Sequence, residues 1–314
     1  MEIIQLKGVT KEYARNKVLE DVNITIEEGD ILGIIGQSGS GKTTLLKLIA
    51  GFIEPSEGEV VYFSKVDNKP KNLHEHFHQI KRHLGFTPQH YSFYPKLTVK
   101  ENILHFGQLY GIPRSTLIEN AKSLLQFTGL YEHREKLAEH LSGGMQKRLD
   151  ITCSLTHKPK ILILDEPTSD LDPVLQEDIL RLILEVNKQG VTIVIASHHL
   201  ESLERLATKL VILHHGRVES YGHMEEIRKP FLRDHITINI KTGNDREKII
   251  TLVKKLPVSK IVDLGHQLLV YPIDAPKTLA ALLQVVKQEN LYLHDIDLHK
   301  PTLGEIFEKI TAKK

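Results

Sequence analysis

The glycine-rich segment at residues 36–44 constrains the fold of this chain more than any other feature. An apolar run precedes it at 31–35 and an apolar-periodic stretch follows at 45–50, which predicts strand, loop and helix. Glycines let the backbone curl around an anion, and the helix dipole adds to the attraction. Lys42 is then placed for the β- and γ-phosphates of a nucleoside triphosphate, and the Thr43 hydroxyl for Mg²⁺. The segment reads Gly36, Gln37, Ser38, Gly39, Ser40, Gly41, Lys42, Thr43, Thr44.

Two further segments indicate what kind of nucleotide site the chain forms. Ser142, Gly143 and Gly144 stand before a stretch with helical character from residue 147, and this arrangement predicts a second anion site at a helix start. The apolar run at residues 161–164 predicts a buried parallel strand that ends in Asp165 and Glu166. Ligands bind at the carboxyl ends of such strands, so Asp165 is expected near Mg²⁺ and Glu166 near the γ-phosphate.

In this order and spacing the motifs resemble those of the nucleotide-binding subunit of an ABC (ATP-binding cassette) transporter, over roughly residues 2–225. Residues 94–102, 109–111 and 301–307 resemble the ABC-2, or drug-resistance-type exporter, branch. Met145 stands where the family consensus has Gln. The matching positions are Tyr13 (adenine platform), Gly36 to Thr44 (phosphate loop), Gln89 (glutamine loop), Leu141 to Gln146 (signature), Asp165 with Glu166, Ser169 to Asp172 (D-loop) and His198 (switch).

The resemblance implies ATP with Mg²⁺ and a specific set of site residues. The implied catalytic residues are Glu166, His198, Lys42 and Gln89, and the implied Mg²⁺ ligands are Thr43, Gln89 and Asp165. The implied nucleotide-binding residues are Tyr13, the phosphate loop from Gly36 to Thr44, Ser142, Gly143, Gly144, Gln146 and Asp172.

For several of these residues a structural role stays open as an alternative. Tyr13 could be a core residue, Gln89 an ordinary loop residue, and His198 a strand-end histidine. Asp172 could cap a helix, because it precedes Pro173 and proline is favoured at the first helical position. The run of alternating histidines at residues 74–78 could hold a metal ion, although a solvated helix face is the better interpretation.

Composition limits the class of protein. Lys and Arg number 41 and Asp and Glu 40, so the net charge of +1 gives no indication of nucleic acid or anionic lipid as a partner. Cys153 is the only cysteine, which excludes an internal disulfide and predicts a packed thiol. No stretch approaches the ~18 consecutive apolar residues of a membrane span, so we expect a cytoplasmic subunit held at the cytoplasmic face of the membrane by a separate permease.

The periodicity predicts an α/β fold in two domains. Residues 1–225 are expected to form the P-loop cassette, with a parallel core sheet, an antiparallel β layer and a helical subdomain at about 90–155. Leucines 104, 109, 117, 124 and 125 are spaced to line the inner faces of that subdomain. Residues 226–314 read βαββαβ with a trailing helix, the order of a small ferredoxin-like α+β domain.

The function that these features favour is an ATPase subunit that drives transport through the permease, with export as the favoured direction. Both anion motifs are expected at the same edge of one domain, which predicts a head-to-tail dimer with a second copy, or a related cassette. Two alternatives are a soluble ABC ATPase in a non-transport process and an importer ATPase whose C-terminal domain senses a ligand. No nucleic acid partner is expected.

Overall fold

The computed structural model describes residues 1–14, 16–63, 70–232, 237–242, 246–265, 267–291, 293–299 and 302–311. The chain divides into two units, Met1–Gly222 and His223–Lys314. Within the described ranges, no helix combines the length and apolar character needed to cross a membrane.

The first unit begins with two long strands and then alternates strands with helices. Its elements are β1 (Glu2–Tyr13), β2 (Asn16–Glu27), β3 (Ile31–Ile35), α1 (Lys42–Ile49), β4 (Glu57–Phe63), β5 (Pro70–Asn72), α2 (Phe77–Ile80), β6 (Leu84–Thr87), α3 (Val99–Leu109), α4 (Arg114–Phe127), α5 (Gly143–Leu155), β7 (Ile161–Asp165), α6 (Pro173–Lys188), β8 (Thr192–Ala196), α7 (Leu200–Leu206), β9 (Lys209–His214) and β10 (Arg217–His223).

A six-stranded sheet forms the centre of this unit, in the order β10-β9-β3-β8-β7-β6. The strands from β9 to β6 pair in parallel. Every residue of β3, β7 and β8 is buried, because both faces of a parallel sheet are covered. The carboxyl ends of these three strands share one edge, which is where the phosphate loop, the Asp165–Glu166 pair and His198 follow in the sequence.

A second sheet is antiparallel, in the order β2-β1-β4-β5. Ile4 and Leu6 of β1 are buried in one apolar cluster with Ile34 of β3 and Leu46 of α1. This cluster joins the two sheets through the helix that follows the phosphate loop. The predicted arrangement of a parallel core beside an antiparallel layer is therefore confirmed.

Helices α3, α4 and α5 form the helical subdomain around an apolar cluster that includes Ile103, Leu125 and Cys153. The Cys153 thiol is fully buried, and burial raises its pKa well above the ordinary value. One expectation for this subdomain is wrong, because Leu109 does not line the inner face and is 67% exposed. Helix α3 ends at Leu109 and the chain turns at Gly111, whose φ is +71°, so this side chain lies beyond the last packed turn.

The second unit consists of α8 (Met224–Leu232), β11 (Thr237–Thr242), α9 (Arg246–Val253), β12 (Val258–Asp263), β13 (Gln267–Pro272), α10 (Ala275–Gln288), β14 (Leu293–His299) and α11 (Leu303–Thr311). Its antiparallel sheet has the order β12-β13-β11-β14. From β11 onward this is the predicted βαββαβ order with a trailing helix, while the ferredoxin-like class of the unit stays a prediction.

Helix α8 was not predicted, and the boundary expected after residue 225 falls inside it, since α8 begins at Met224. Pro230 within α8 obscured its periodicity in the sequence. Residue 301, the first of the predicted C-terminal motif, and residue 236, within the region predicted as βαββαβ, lie outside the described residues.

Candidate active site

The phosphate loop leaves the end of β3 and enters α1 at Lys42. Two of its glycines cannot carry a side chain: a Cβ on Gly36 would lie 2.5 Å from the Leu213 carbonyl oxygen, and one on Gly41, at φ +103°, 2.9 Å from that of Val18. Lys42 Nζ donates to the carbonyl oxygens of Gly36, at 2.8 Å, and Gln37, at 3.2 Å. The loop thus encloses its own lysine at the sheet edge.

Asp165 is buried at the end of β7 and forms the floor beside this loop. The Thr43 hydroxyl bonds to its carboxylate, and burial raises the Asp165 pKa. The other carboxylate oxygen, Oδ1, is buried and has no hydrogen-bond partner among the residues that the structure describes. An unsatisfied carboxylate oxygen next to a hydroxyl matches the oxygen ligands that Mg²⁺ prefers, so the residues present fit this ion.

Glu166 and His198 meet across β7 and β8. His198 Nδ1 lies 2.8 Å from Glu166 Oε2, and the His198 backbone N–H donates to the same oxygen at 3.2 Å. Glu166 has a left-handed backbone with φ +49°, and its own N–H donates to Ala196 of β8. Non-glycine residues in this region are strained and concentrate at functional sites, and here the strain turns the carboxylate toward His198.

A cleft of about 580 Å³ opens at this edge and unites residues from distant parts of the sequence. Of the predicted catalytic residues it contains Lys42, Gln89, Glu166 and His198. It is lined by Val18, Ser38, Gly39, Gly41, Lys42, Thr43, Thr44, Gln89, Glu166 and His198. The predicted loop residues Gly36, Gln37 and Ser40 belong to the same loop without lining the cleft.

Lys42 in the cleft is accompanied by two carboxylates, that of Glu166 in the lining and that of Asp165 beside it. Burial lowers the pKa of Lys42, while Glu166 and Asp165 act in the opposite direction. Lys42 is therefore a half-buried cation that faces both acids across the phosphate loop. Two carboxylates outnumber one lysine, so these side chains suit a polyanion that is accompanied by a divalent cation.

The signature residues lie elsewhere on the unit. Helix α5 begins at Gly143, earlier than predicted, and the Ser142 hydroxyl caps it by accepting from the Met145 N–H at 3.4 Å. Ser142 and Gly143 are exposed, whereas Gly144 is buried, and a Cβ there would lie 2.8 Å from Leu175 Cδ2. None of the described signature residues lines the cleft of its own chain.

Two predicted nucleotide contacts, Gln146 and Asp172, have local roles in the structure. The Gln146 side-chain amide donates to the Ala138 carbonyl at 3.2 Å. Asp172 caps α6 by accepting from the N–H groups of Val174 and Leu175, both at 3.0 Å. The helix-capping alternative for Asp172 is therefore realised in this conformation.

Tyr13 ends β1 and is 47% exposed, so it is not the core tyrosine of the alternative interpretation. Its ring does not line the cleft, and Lys11 Nζ lies 5.2 Å from the ring centroid. Val18 of β2 lines the cleft instead, and sequence reasoning missed it. An apolar residue in a strand carries no signal that separates a ligand contact from a core position.

A second, larger cleft of about 1,310 Å³ lies in the same unit, beside Phe86 and Pro88 of the segment that leads to Gln89. Aromatic rings line it, and its rim carries the basic residues Lys81, Arg82, Lys158 and Lys160. In its wall the rings of Tyr110 and His157 stack with centroids 3.6 Å apart, and His157 Nε2 lies 2.9 Å from the Leu84 carbonyl oxygen. The described lining includes no carboxylate, so this cleft is basic.

The glycine loop, the buried aspartate and the glutamate held by a histidine converge on one edge of a parallel sheet. This convergence places the protein in the class of P-loop nucleoside triphosphatases. The comparison with known proteins identifies the family.

The profile of the ABC transporter family matches residues 19–169. The linearmycin resistance ATP-binding protein LnrL of Bacillus subtilis (strain 168) is 26% identical over 314 residues, which cover 99% of both chains. The methionine import ATP-binding protein MetN of Clostridioides difficile (strain 630) is 36% identical over 234 residues, 74% of this chain and 71% of the relative.

Among solved structures, a dimeric post-hydrolysis state of the ATP-binding cassette MJ0796 bound to ADP and Pi has a TM-score of 0.62 and 31% identity. It covers 71% of this chain and 99% of that one. The chain belongs to the ABC transporter family, as an ATP-binding subunit that hydrolyses ATP.

Proposed function

We propose that two copies of this chain pair head to tail and close two ATP molecules between them. The observation that carries the proposal is the position of the signature: Ser142 and Gly143 are exposed at the start of α5 and do not line their own chain's cleft. A helix start with free N–H groups is suited to bind phosphate. In the head-to-tail pair it completes the cleft of the partner.

Within each cleft, the residues have distinct roles in the attack of water on the γ-phosphate. Lys42 and the loop N–H groups bind the phosphates and stabilise charge as it shifts to the leaving oxygen. Glu166 accepts the proton of the attacking water, and His198 fixes the orientation of Glu166 through the 2.8 Å contact. Mg²⁺, held by Thr43, Asp165 and Gln89, supplies further neutralisation of the phosphate oxygens when bound.

Tyr13 is proposed to hold the adenine ring. It is exposed at the end of β1, and Val18 of the neighbouring strand β2 already lines the cleft. An aromatic face offers a base the stacking contact that an apolar strand residue alone cannot provide. Asp172 is proposed to contact the partner chain near the paired clefts while it continues to cap α6.

The basic cleft is the surface that we propose for the permease. Its aromatic lining suits the apolar side of a short helix, and the rim of Lys81, Arg82, Lys158 and Lys160 suits carboxylates on the same segment. The cleft also borders Pro88, next to Gln89. A permease segment seated there is therefore adjacent to the catalytic machinery, and the subunit is held at the cytoplasmic face of the membrane.

Export is the direction of transport that we propose. Similarity to the linearmycin resistance protein extends over 99% of both chains and so includes the second unit. The second candidate is an importer subunit whose C-terminal unit senses a ligand, favoured by the higher identity to the methionine importer subunit, 36%, over 74% of this chain. The similarity that favours an exporter subunit extends over the whole chain, whereas the similarity that favours an importer subunit covers part of it.

A mixing experiment tests the composite site. A Lys42→Ala chain loses phosphate binding, and a Ser142→Arg chain places a bulky cation at the exposed start of α5. Each variant alone should be inactive, whereas a mixture should regain activity, because each mixed pair contains one cleft with intact Lys42 and intact Ser142. A mixture as inactive as its components would show that each chain works by itself.

A further inference from the structure

Helix α5 carries a buried lysine that the chemistry above does not use. Lys147 is 2% exposed, and its Nζ donates to the backbone carbonyl of Gln89 at 3.3 Å. The same ammonium lies 5.5 Å from the centroid of the Tyr91 ring. A lysine is almost never buried unless its charge has partners. Here both contacts of the ammonium are with the segment from Pro88 to Phe93.

One turn further along α5, Asp150 holds the other end of that segment. Asp150 is fully buried, and its Oδ1 accepts from the Ser92 N–H at 2.9 Å and from the Ser92 hydroxyl at 2.5 Å. Its Oδ2 is buried and has no hydrogen-bond partner in the described part of the chain. Burial raises the Asp150 pKa and lowers that of Lys147, so both charged forms are held at an energetic cost.

The polar contacts of the segment from Pro88 to Phe93 with α5 come from these two side chains, while Phe93 packs in the apolar cluster of the helical subdomain. Within residues 70–232, the backbone of this segment belongs to no helix or strand and takes part in no backbone–backbone hydrogen bond outside those elements. Lys147 donates to the carbonyl of Gln89, the second residue of this segment, and Asp150 accepts from Ser92, the fifth. A loop whose own backbone provides no fixed geometry takes that geometry from the helix that holds it.

The surroundings of Lys147 connect it to the reaction. Burial lowers the Lys147 pKa, and four carboxylates act in the opposite direction, in decreasing order Asp150, Asp170, Asp165 and Glu166. The Lys147 ammonium is therefore coupled electrostatically to the two carboxylates at the cleft and bonded to the carbonyl of Gln89. A methionine would fill much of the same volume at a lower desolvation cost, so packing alone does not account for a lysine here.

We infer that Lys147 and Asp150 are positioning residues that hold Gln89 at the cleft. The inference rests on the proposed role of Gln89 in Mg²⁺ binding and hydrolysis. Because α5 begins beside Ser142, the position of Gln89 follows the helix that carries the signature. Neither residue lines the cleft.

The test is a double-mutant cycle between Lys147→Met and Gln89→Ala in the full-length chain. Lys147→Met should lower kcat about ten-fold and raise the Mg²⁺ concentration for half-maximal hydrolysis, because one charge-assisted contact to the loop is lost. Binding of a fluorescent ATP analogue without Mg²⁺ should change less than about two-fold, since Lys42 is untouched. In the Gln89→Ala background, Lys147→Met should cause no further loss.

Two variants separate positioning from packing. Lys147→Arg restores a cation with several donors and should recover most of the activity. Lys122→Met, at an exposed position of α4, is the matched control and should behave as wild type. If Lys147→Met does not fold, Ser92→Ala replaces Lys147→Met in the cycle. This substitution removes only the Ser92 hydroxyl, which donates to Asp150.

The outcomes distinguish the inference from the proposed function. Two results would overturn the positioning role alone. One is that the activity losses of the two single variants multiply in the double mutant. The other is that Lys147→Met has the kcat and the Mg²⁺ dependence of the wild type. Wild-type hydrolysis by Gln89→Ala would overturn the proposed role of Gln89, and the positioning role with it.

Discussion

Two hydrogen bonds from His198 converge on a single oxygen of Glu166: Nδ1 lies 2.8 Å and the backbone nitrogen 3.2 Å from Oε2. The Glu166 side chain is 8% exposed and that of His198 is 56% exposed. The carboxylate is therefore fixed in the sheet edge, while one face of the imidazole is open to the cleft. A general base gains efficiency from such fixed orientation.

Glu166→Gln should reduce ATP hydrolysis about 10²- to 10⁴-fold, the usual contribution of a general base. The amide cannot accept the proton of water, but Lys42 and the loop N–H groups remain. ATP should stay bound, and the paired form should accumulate. Steady-state hydrolysis and sedimentation with ATP measure the two effects, and hydrolysis at the wild-type rate would show that Glu166 is not the base.

Tyr13→Ala should weaken ATP binding about ten-fold, because a stacking contact of roughly 1–1.5 kcal/mol is lost. Tyr13→Phe keeps the aromatic face and should bind as wild type does. Titration with a fluorescent ATP analogue measures both affinities. Equal affinities for all three proteins would remove Tyr13 from the site and leave Val18 as the apolar contact.

A chain that ends at Gly222 should fold and bind ATP, because every residue of the cleft precedes this point and the unit has its own core. If the second unit contributes to pairing, the truncated Glu166→Gln chain should pair only at higher concentration. Sedimentation with ATP compares it with the full-length Glu166→Gln chain. Unchanged pairing would assign the second unit to another partner, and an insoluble product would show that it completes the first core.

His157 should make the protein less stable as the pH falls below neutrality. Burial lowers its pKa from 6.5 to about 4, so the unfolded state binds a proton first as the pH falls through 6.5. Stability is lost between about pH 6.5 and pH 4, by up to roughly 3 kcal/mol from this residue. His157→Gln retains a donor for the Leu84 carbonyl and should show a flatter dependence. Urea unfolding of both proteins from pH 7 to pH 4.5 measures the difference, and parallel curves would contradict it.

The parts of the fold that sequence reasoning predicted are those with local causes. The phosphate loop is a continuous segment whose glycines, lysine and threonine are all required within a few residues of each other. The buried strand ending at Asp165 carries its signal in an unbroken apolar run. Backbone geometry at these places depends little on distant residues.

What sequence reasoning missed depends on side chains that meet across the fold. Lys147 reads as an ordinary polar helix residue, and only the packed structure shows its ammonium on the carbonyl of Gln89. Val18 lines the cleft because the turn at Gly216 packs against its strand, a contact between residues far apart in the sequence. Helix α8 was not predicted, because it contains Pro230, and proline usually ends a helix. Whether a helix accommodates a proline depends on its tertiary contacts.

The burial of Cys153 has a practical consequence for mapping the paired form. As the sole cysteine, enclosed in the helical subdomain with a raised thiol pKa, it holds little thiolate and is shielded from alkylating or oxidising reagents. A cysteine introduced at an exposed position such as Val174, which is 73% exposed, would thus be the one reactive sulfur in the native protein. The wild-type background is already suited to disulfide trapping and site-specific labelling without prior removal of a native thiol.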